Sequence, residues 1–138
     1  MQDVLTTLKS LDYFVDNEYL VKYSKLIERA ISAPRKPGRT HSHHVIPKSW
    51  FKLQNLPVDD SVHNRVNLDY RDHVMAHYYL SLCTRDQLQY ANELAFICLF
   101  SRKKLNIVDK QMITHLPLYN TIYEDYKNKK KNNYSLYD

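Results

Sequence analysis

Glycine is nearly absent from this chain: Gly38 is the only one in 138 residues. That excludes any glycine-rich loop and leaves tight turns to other residue types. Cysteine is almost as scarce. Cys83 and Cys98 form no CxxC pair, which removes a dithiol or cysteine-based zinc framework. Both fall within apolar helical patterns, so buried free thiols in a reducing compartment are expected. No apolar run approaches the ~18 residues that cross a bilayer, and the opening MQDVLTTLKSLDYF lacks the charged-then-apolar layout of a secretory signal. These absences predict a soluble, intracellular and cytoplasmic protein with no membrane partner. Acidic charge is also short in one region. Lys22, Lys25, Arg29, Arg35, Lys36, Arg39, Lys48 and Lys52 are opposed between Lys22 and Lys52 by Glu28 alone. With a formal net charge of +5, that stretch suits a polyanion.

The length fits one domain with a single modest core. Tyr19, Leu20, Tyr23, Leu26, Ile27 and Ala30 recur at helical spacing and predict a helix over residues 17–32, with a short one near 2–10 before it. Pro34, Pro37 and Gly38 then punctuate a basic loop. Val45 and Ile46 are β-branched and Pro47 ends a ladder, which predicts a short strand at 42–46. Residues 47–62 carry Trp50, Phe51, Leu53 and Leu56, too apolar for a loose linker, and are expected to fold back with a helical turn. The alternation in Arg65-Val66-Asn67-Leu68 predicts a second strand paired with the first. Asp69 then reads as the N-cap of a helix with Asp72 in its first turn. Thr84 with Gln87 signals another helix over about 85–104. Shorter helices are expected to flank Pro117, and KNKKKNNYSLYD reads as a mobile basic tail. The fold class is therefore mainly α with a small ββα unit, a single α+β domain. Its parts are an N-terminal helical segment and basic loop (1–38), a core (39–84), C-terminal helices packed on it (85–126) and the tail (127–138).

Histidine is where the chain concentrates chemistry. His41-Ser42-His43-His44 holds three of the seven histidines, and His73 and His77 lie four apart on the predicted helix. Rings at that spacing project from one face, a geometry that suits a divalent ion. On a strand, His43 and His44 point to opposite faces, so one can ligate while its neighbour turns away. Hydrolysis of a phosphodiester needs a proton acceptor, and neutral imidazole suits that task at physiological pH. His44 is the candidate. Asn64, in the loop before the second strand, is placed to fix the base and tie the hairpin together. Lys48 and Arg71 flank this constellation as candidate contacts to a DNA backbone, with Arg35, Lys36 and Arg39 in the basic loop beside them. His63 and His115 read as surface residues, and Tyr78, Tyr79 and Tyr90 as core. His41 has three readings, a phosphate contact, a support for His43 or an exposed residue, with exposure favoured.

The order His43-His44-Val45-Ile46-Pro47-Lys48-Ser49, then Asn64, then His73-Val74-Met75-Ala76-His77, resembles the HNH endonucleases of the His-Me finger (ββα-metal) class, closest to the homing-type members of phages and group I introns. Their strand start reads like HHIIPKS, and their asparagine precedes the helical histidine by nine residues, as Asn64 precedes His73. The resemblance covers about 35 residues tightly. It implies His44 as general base, Asn64 as the structural asparagine, and His43, His73 and His77 on the metal side. It further implies one divalent ion among Mg, Mn, Zn and Ni, DNA as partner and a phage-encoded protein acting in a bacterial host. Trp50-Phe51-Lys52 stands where those relatives carry Leu-Gly-Gly. The reading from a different class is a non-catalytic, metal-stabilised nucleic-acid-binding module. A small helical interaction protein with incidental histidines is the third.

Overall fold

The computed structural model describes residues 3–33, 40–100 and 107–132. Arg35, Lys36 and Arg39 lie outside the described residues. Among the described residues, seven α-helices and two strands follow in the order α1 (Val4–Lys9), α2 (Glu18–Ser32), β1 (His41–His44), α3 (Lys48–Leu53), β2 (Arg65–Leu68), α4 (Tyr70–Leu82), α5 (Asp86–Phe100), α6 (Ile107–Thr114) and α7 (Tyr119–Lys131). The protein is thus mainly helical around one two-stranded antiparallel sheet. No helix among the described residues is long and apolar enough to cross a membrane.

Helix α4 is the axis of the molecule. Its Ala76 and Leu80 face one cluster with Leu20, Tyr23 and Ile27 of α2, Val66 and Leu68 of β2, and Leu88 of α5. Its Val74 and Tyr78 face a second cluster with Phe96, Leu99, Ile113 and Ile122. A helix with apolar neighbours on two sides has only a narrow face left for polar work, and His73 and His77 occupy it. Asp69 starts the helix as expected, its Oδ1 accepting from Asp72 N at 2.8 Å. Asn17 caps α2 by accepting from Tyr19 N and Leu20 N, and its Nδ2 donates 2.9 Å to Leu82 O, which fixes α2 against the end of α4.

The shortage of glycine shows at the end of α3. Asn55 takes the left-handed conformation, φ 57°, there. Leu56 N donates to Phe51 O and Asn55 N to Lys52 O, the Schellman pattern with asparagine in glycine's usual place. The segment after β1 does fold back, as its apolar content requires. Phe51 is buried, and Trp50 Nε1 donates to Asp12 O.

Three expectations need correction. The first strand runs over His41–His44, not 42–46, because its partner strand gives way to a 3-10 turn at Val62–Asn64 and the backbone of Ile46 pairs with a side chain instead. The C-terminal basic segment is helical up to Lys131, well past residue 127. Lys129 anchors it, its Nζ lying 3.1 Å from Glu93 Oε1 and 2.9 Å from Asp125 Oδ2. Cys83 is buried and free as expected, but Cys98 is exposed, on the solvent side of α5.

Candidate metal centre

The hairpin sorts its histidines by register. His43 pairs with Val66 and His41 with Leu68, both core residues, while His44 pairs with Arg65 and Ser42 with Asn67 on the outer face. His43 is therefore driven inward, only 3% exposed, by the alternation that buries Val66 and Leu68. There it meets the polar face of α4. The His43 ring lies 5.4 Å from that of His73 and 5.2 Å from that of His77, centroid to centroid, and the latter two are 5.1 Å apart. One ring nitrogen from each falls within 4.8 Å of the others, close enough for one metal ion.

Neighbouring groups decide which nitrogens carry protons. Tyr23 donates its single hydroxyl proton to Val45 O at 2.7 Å, so its oxygen accepts from His43 Nε2 at 2.8 Å. His43 then keeps its lone pair on Nδ1. Asn92 spends its amide group on Leu88 O, and its Oδ1 faces His77 Nδ1 at 3.2 Å. His77 accordingly donates from Nδ1 and keeps the lone pair on Nε2. Burial pushes His43 well below the ordinary histidine range, with His77, His73 and His44 adding to it. Burial likewise pushes His77 down to about 4, against the opposing hydrogen bond to Asn92. At neutral pH both are uncharged imidazoles with oriented lone pairs, as a divalent ion requires of its ligands.

His41 is not an exposed bystander. Its Nδ1 sits 2.8 Å from His73 Nδ1, and its ring packs edge-on to both His73 and Tyr70. Sharing the inward face of β1 with His43 put it there. Tyr23 and Asn92 also escape a reading of the sequence, since each lies on a helix stripe where packing already accounts for it.

His44 turns the other way, its Nε2 2.6 Å from Asp60 Oδ1. It nevertheless opens into a cleft that two of the clustered histidines share: His44, Lys48, His73, His77 and Asn92 line one hollow of about 330 Å³ between α3 and α5. A larger groove of about 920 Å³, beside Arg29 and Arg65, contains none of the clustered rings. The Asn64 side chain bonds to backbone and not to the His44 ring. It is buried, and its Oδ1 accepts from Ile46 N at 2.8 Å while Nδ2 donates to Ile46 O at 3.1 Å and Asp59 O at 3.0 Å. Its amide thus replaces a missing strand residue and holds the backbone just beyond His44. Asn64→Ala should lower the unfolding free energy by about 2 kcal/mol, since it strands polar groups on both sides of the turn. Urea denaturation followed by circular dichroism would measure it, and an unchanged midpoint would contradict this role.

The flanking cations differ in freedom. Lys48 is exposed at the mouth of the cleft. Arg71, at the start of α4, has its Nη2 3.8 Å from Asp109 Oδ1 of α6, an ion pair that any phosphate contact would have to displace. His63 and His115 are exposed, Tyr78 and Tyr90 are buried, and Tyr79 packs at the edge of the core. Comparison with protein-family models, with curated proteins and with solved structures finds no match.

Proposed function

We propose that this chain is a metal-dependent endonuclease of the HNH type, homing-type in its resemblance, that hydrolyses phosphodiester bonds in DNA. In this reading the hairpin and α4 form a ββα-metal unit. The observation that carries it is the division of labour along β1: His43 is turned inward to meet His73 and His77, and its neighbour His44 outward, into the cleft that His73 and His77 line. His43, His73 and His77 hold a single divalent ion, and their set of neutral nitrogens fits such a group. When bound, that ion supplies positive charge to stabilise the pentacoordinate phosphate and the departing oxygen.

The chain's own residues do the rest. His44 accepts the proton of the attacking water. Asn64 keeps the backbone that carries His44 at a fixed distance from the cluster. Lys48 contacts the DNA backbone at the mouth of the cleft, and Arg71 contributes once it leaves Asp109. Arg35, Lys36 and Arg39 add charge along the approaching strand.

Supercoiled plasmid incubated with the protein and Mg, Mn, Zn or Ni in turn tests the whole reading. Nicked or linear product is expected with at least one ion and none with chelator. Metal binding and DNA binding without cleavage under any ion would transfer the case to the non-catalytic, metal-stabilised module.

A further inference from the structure

Two of the clustered imidazoles, His43 and His77, have partners that set their protons, and so does His44. The carboxylate of Asp60 can only accept, because its hydrogen bond to His44 holds it below the ordinary carboxylate range and therefore ionised at neutral pH. The 2.6 Å contact thus assigns the His44 proton to Nε2 and the lone pair to Nδ1. Exposed carboxylates commonly make incidental contacts worth almost nothing. This one is built. On one side of Asp60, Asp59 O receives the buried Asn64 amide at 3.0 Å, and on the other Ser61 N donates 2.9 Å to Asp59 Oδ1. The turn is therefore pinned before Asp60 by the same asparagine that pins the end of β1, and across Asp60 by the Asp59 carboxylate.

We propose that Asp60 is the positioning residue of the proton acceptor: it fixes the ring of His44 in the tautomer whose Nδ1 is free to take a proton. This rests on the nuclease reading above. Asp60 pairs with His44 and not with the clustered rings. It acts through His44, as outer-shell carboxylates do on functional imidazoles. Asn64 acts one step further out, since it fixes the backbone on which both groups ride. The acidic pair Asp59-Asp60, five and four residues before Asn64, is the only trace of this arrangement in the sequence.

The test uses the full chain and has two arms. Asp60→Ala should lower kcat about 10- to 100-fold with KM for DNA and affinity for the divalent ion unchanged. Separately, long-range ¹H–¹⁵N spectra of histidine-labelled protein at pH 7.5 should place the His44 proton on Nε2 in the wild type and on a mixture of the two nitrogens in Asp60→Ala. Circular dichroism should be unchanged, because Asp60 is exposed. A variant that cleaves within twofold of wild type, one that raises KM alone, or one whose His44 stays protonated on Nε2 would each overturn the assignment. If the wild type cleaved nothing, the nuclease reading would fall by itself, and the spectra would still judge the Asp60–His44 contact.

Discussion

His44→Ala should reduce DNA cleavage by about 10²- to 10⁴-fold, the range that a positioned proton acceptor contributes, and leave binding of metal and DNA at wild-type levels. The asymmetry follows from the register of β1. His44 stands opposite exposed Arg65 rather than within the core, and the partner it loses, Asp60, is 68% exposed, so truncation leaves no buried group unpaired. Stability should change by less than about 1 kcal/mol. His43→Ala should behave in the opposite way, since His43 is buried between Tyr23 and the cluster, and its loss should weaken metal binding and fold together. Single-turnover cleavage of an end-labelled duplex, beside calorimetric titration of the ion, separates the two. Wild-type cleavage by His44→Ala would remove it as the base. A metal site with no catalytic task has no need of a second strand histidine facing the cleft that His73 and His77 line, so equal loss of metal affinity in both variants would favour a structural centre.

The sequence carried some of this legibly and some not at all. Local signals were the readable ones. The alternation in Arg65–Leu68 set the second strand, the Asp69 cap set the start of α4, and the four-residue spacing of His73 and His77 set their shared face. Each depends on neighbours within a turn or two of the chain. What failed depends on partners far away in sequence. β1 ends early because Asn64, eighteen residues on, supplies its amide to Ile46. Residues 127–131 are helical because Lys129 finds an acceptor oxygen thirty-six residues back, on Glu93. His41 is held by His73, thirty-two residues on, and no local pattern distinguishes that from an exposed side chain. The proton-setting partners Tyr23, Asp60 and Asn92 belong to the same class. Each is an ordinary residue in its own segment and meets its histidine only through the fold.

The second large effect is expected in acid. The folded protein holds His77 neutral down to about 4, whereas in the unfolded chain it titrates near the ordinary 6.5. Between those values the unfolded state binds the extra proton and the folded state does not, so stability rises with pH across the window and is lost as pH falls from about 6.5 to 4. A shift of that size corresponds to about 3 kcal/mol, with His43 adding loss in the same direction. Glu93 works against this. Burial, aided by its hydrogen bond to Asp125 and opposed by Lys129, pushes its carboxyl up to about 8, so its contribution grows as pH falls from about 8 to 4.5. The raw stability profile therefore mixes two opposed slopes, and only a difference isolates one of them. In metal-free protein, His77→Gln keeps a donor for Asn92 and removes the titrating ring. Urea midpoints for wild type and variant should thus converge or cross as pH is lowered from 7 to 4, with the wild type losing about 3 kcal/mol more than the variant. Parallel profiles would mean that His77 is not held neutral by its surroundings, and the centre would then lack the pre-formed ligand that its burial implies. Added Zn should steepen the wild-type loss and leave the variant nearly unmoved, because an ion bound only by the folded state adds stability that protons on the same nitrogens remove.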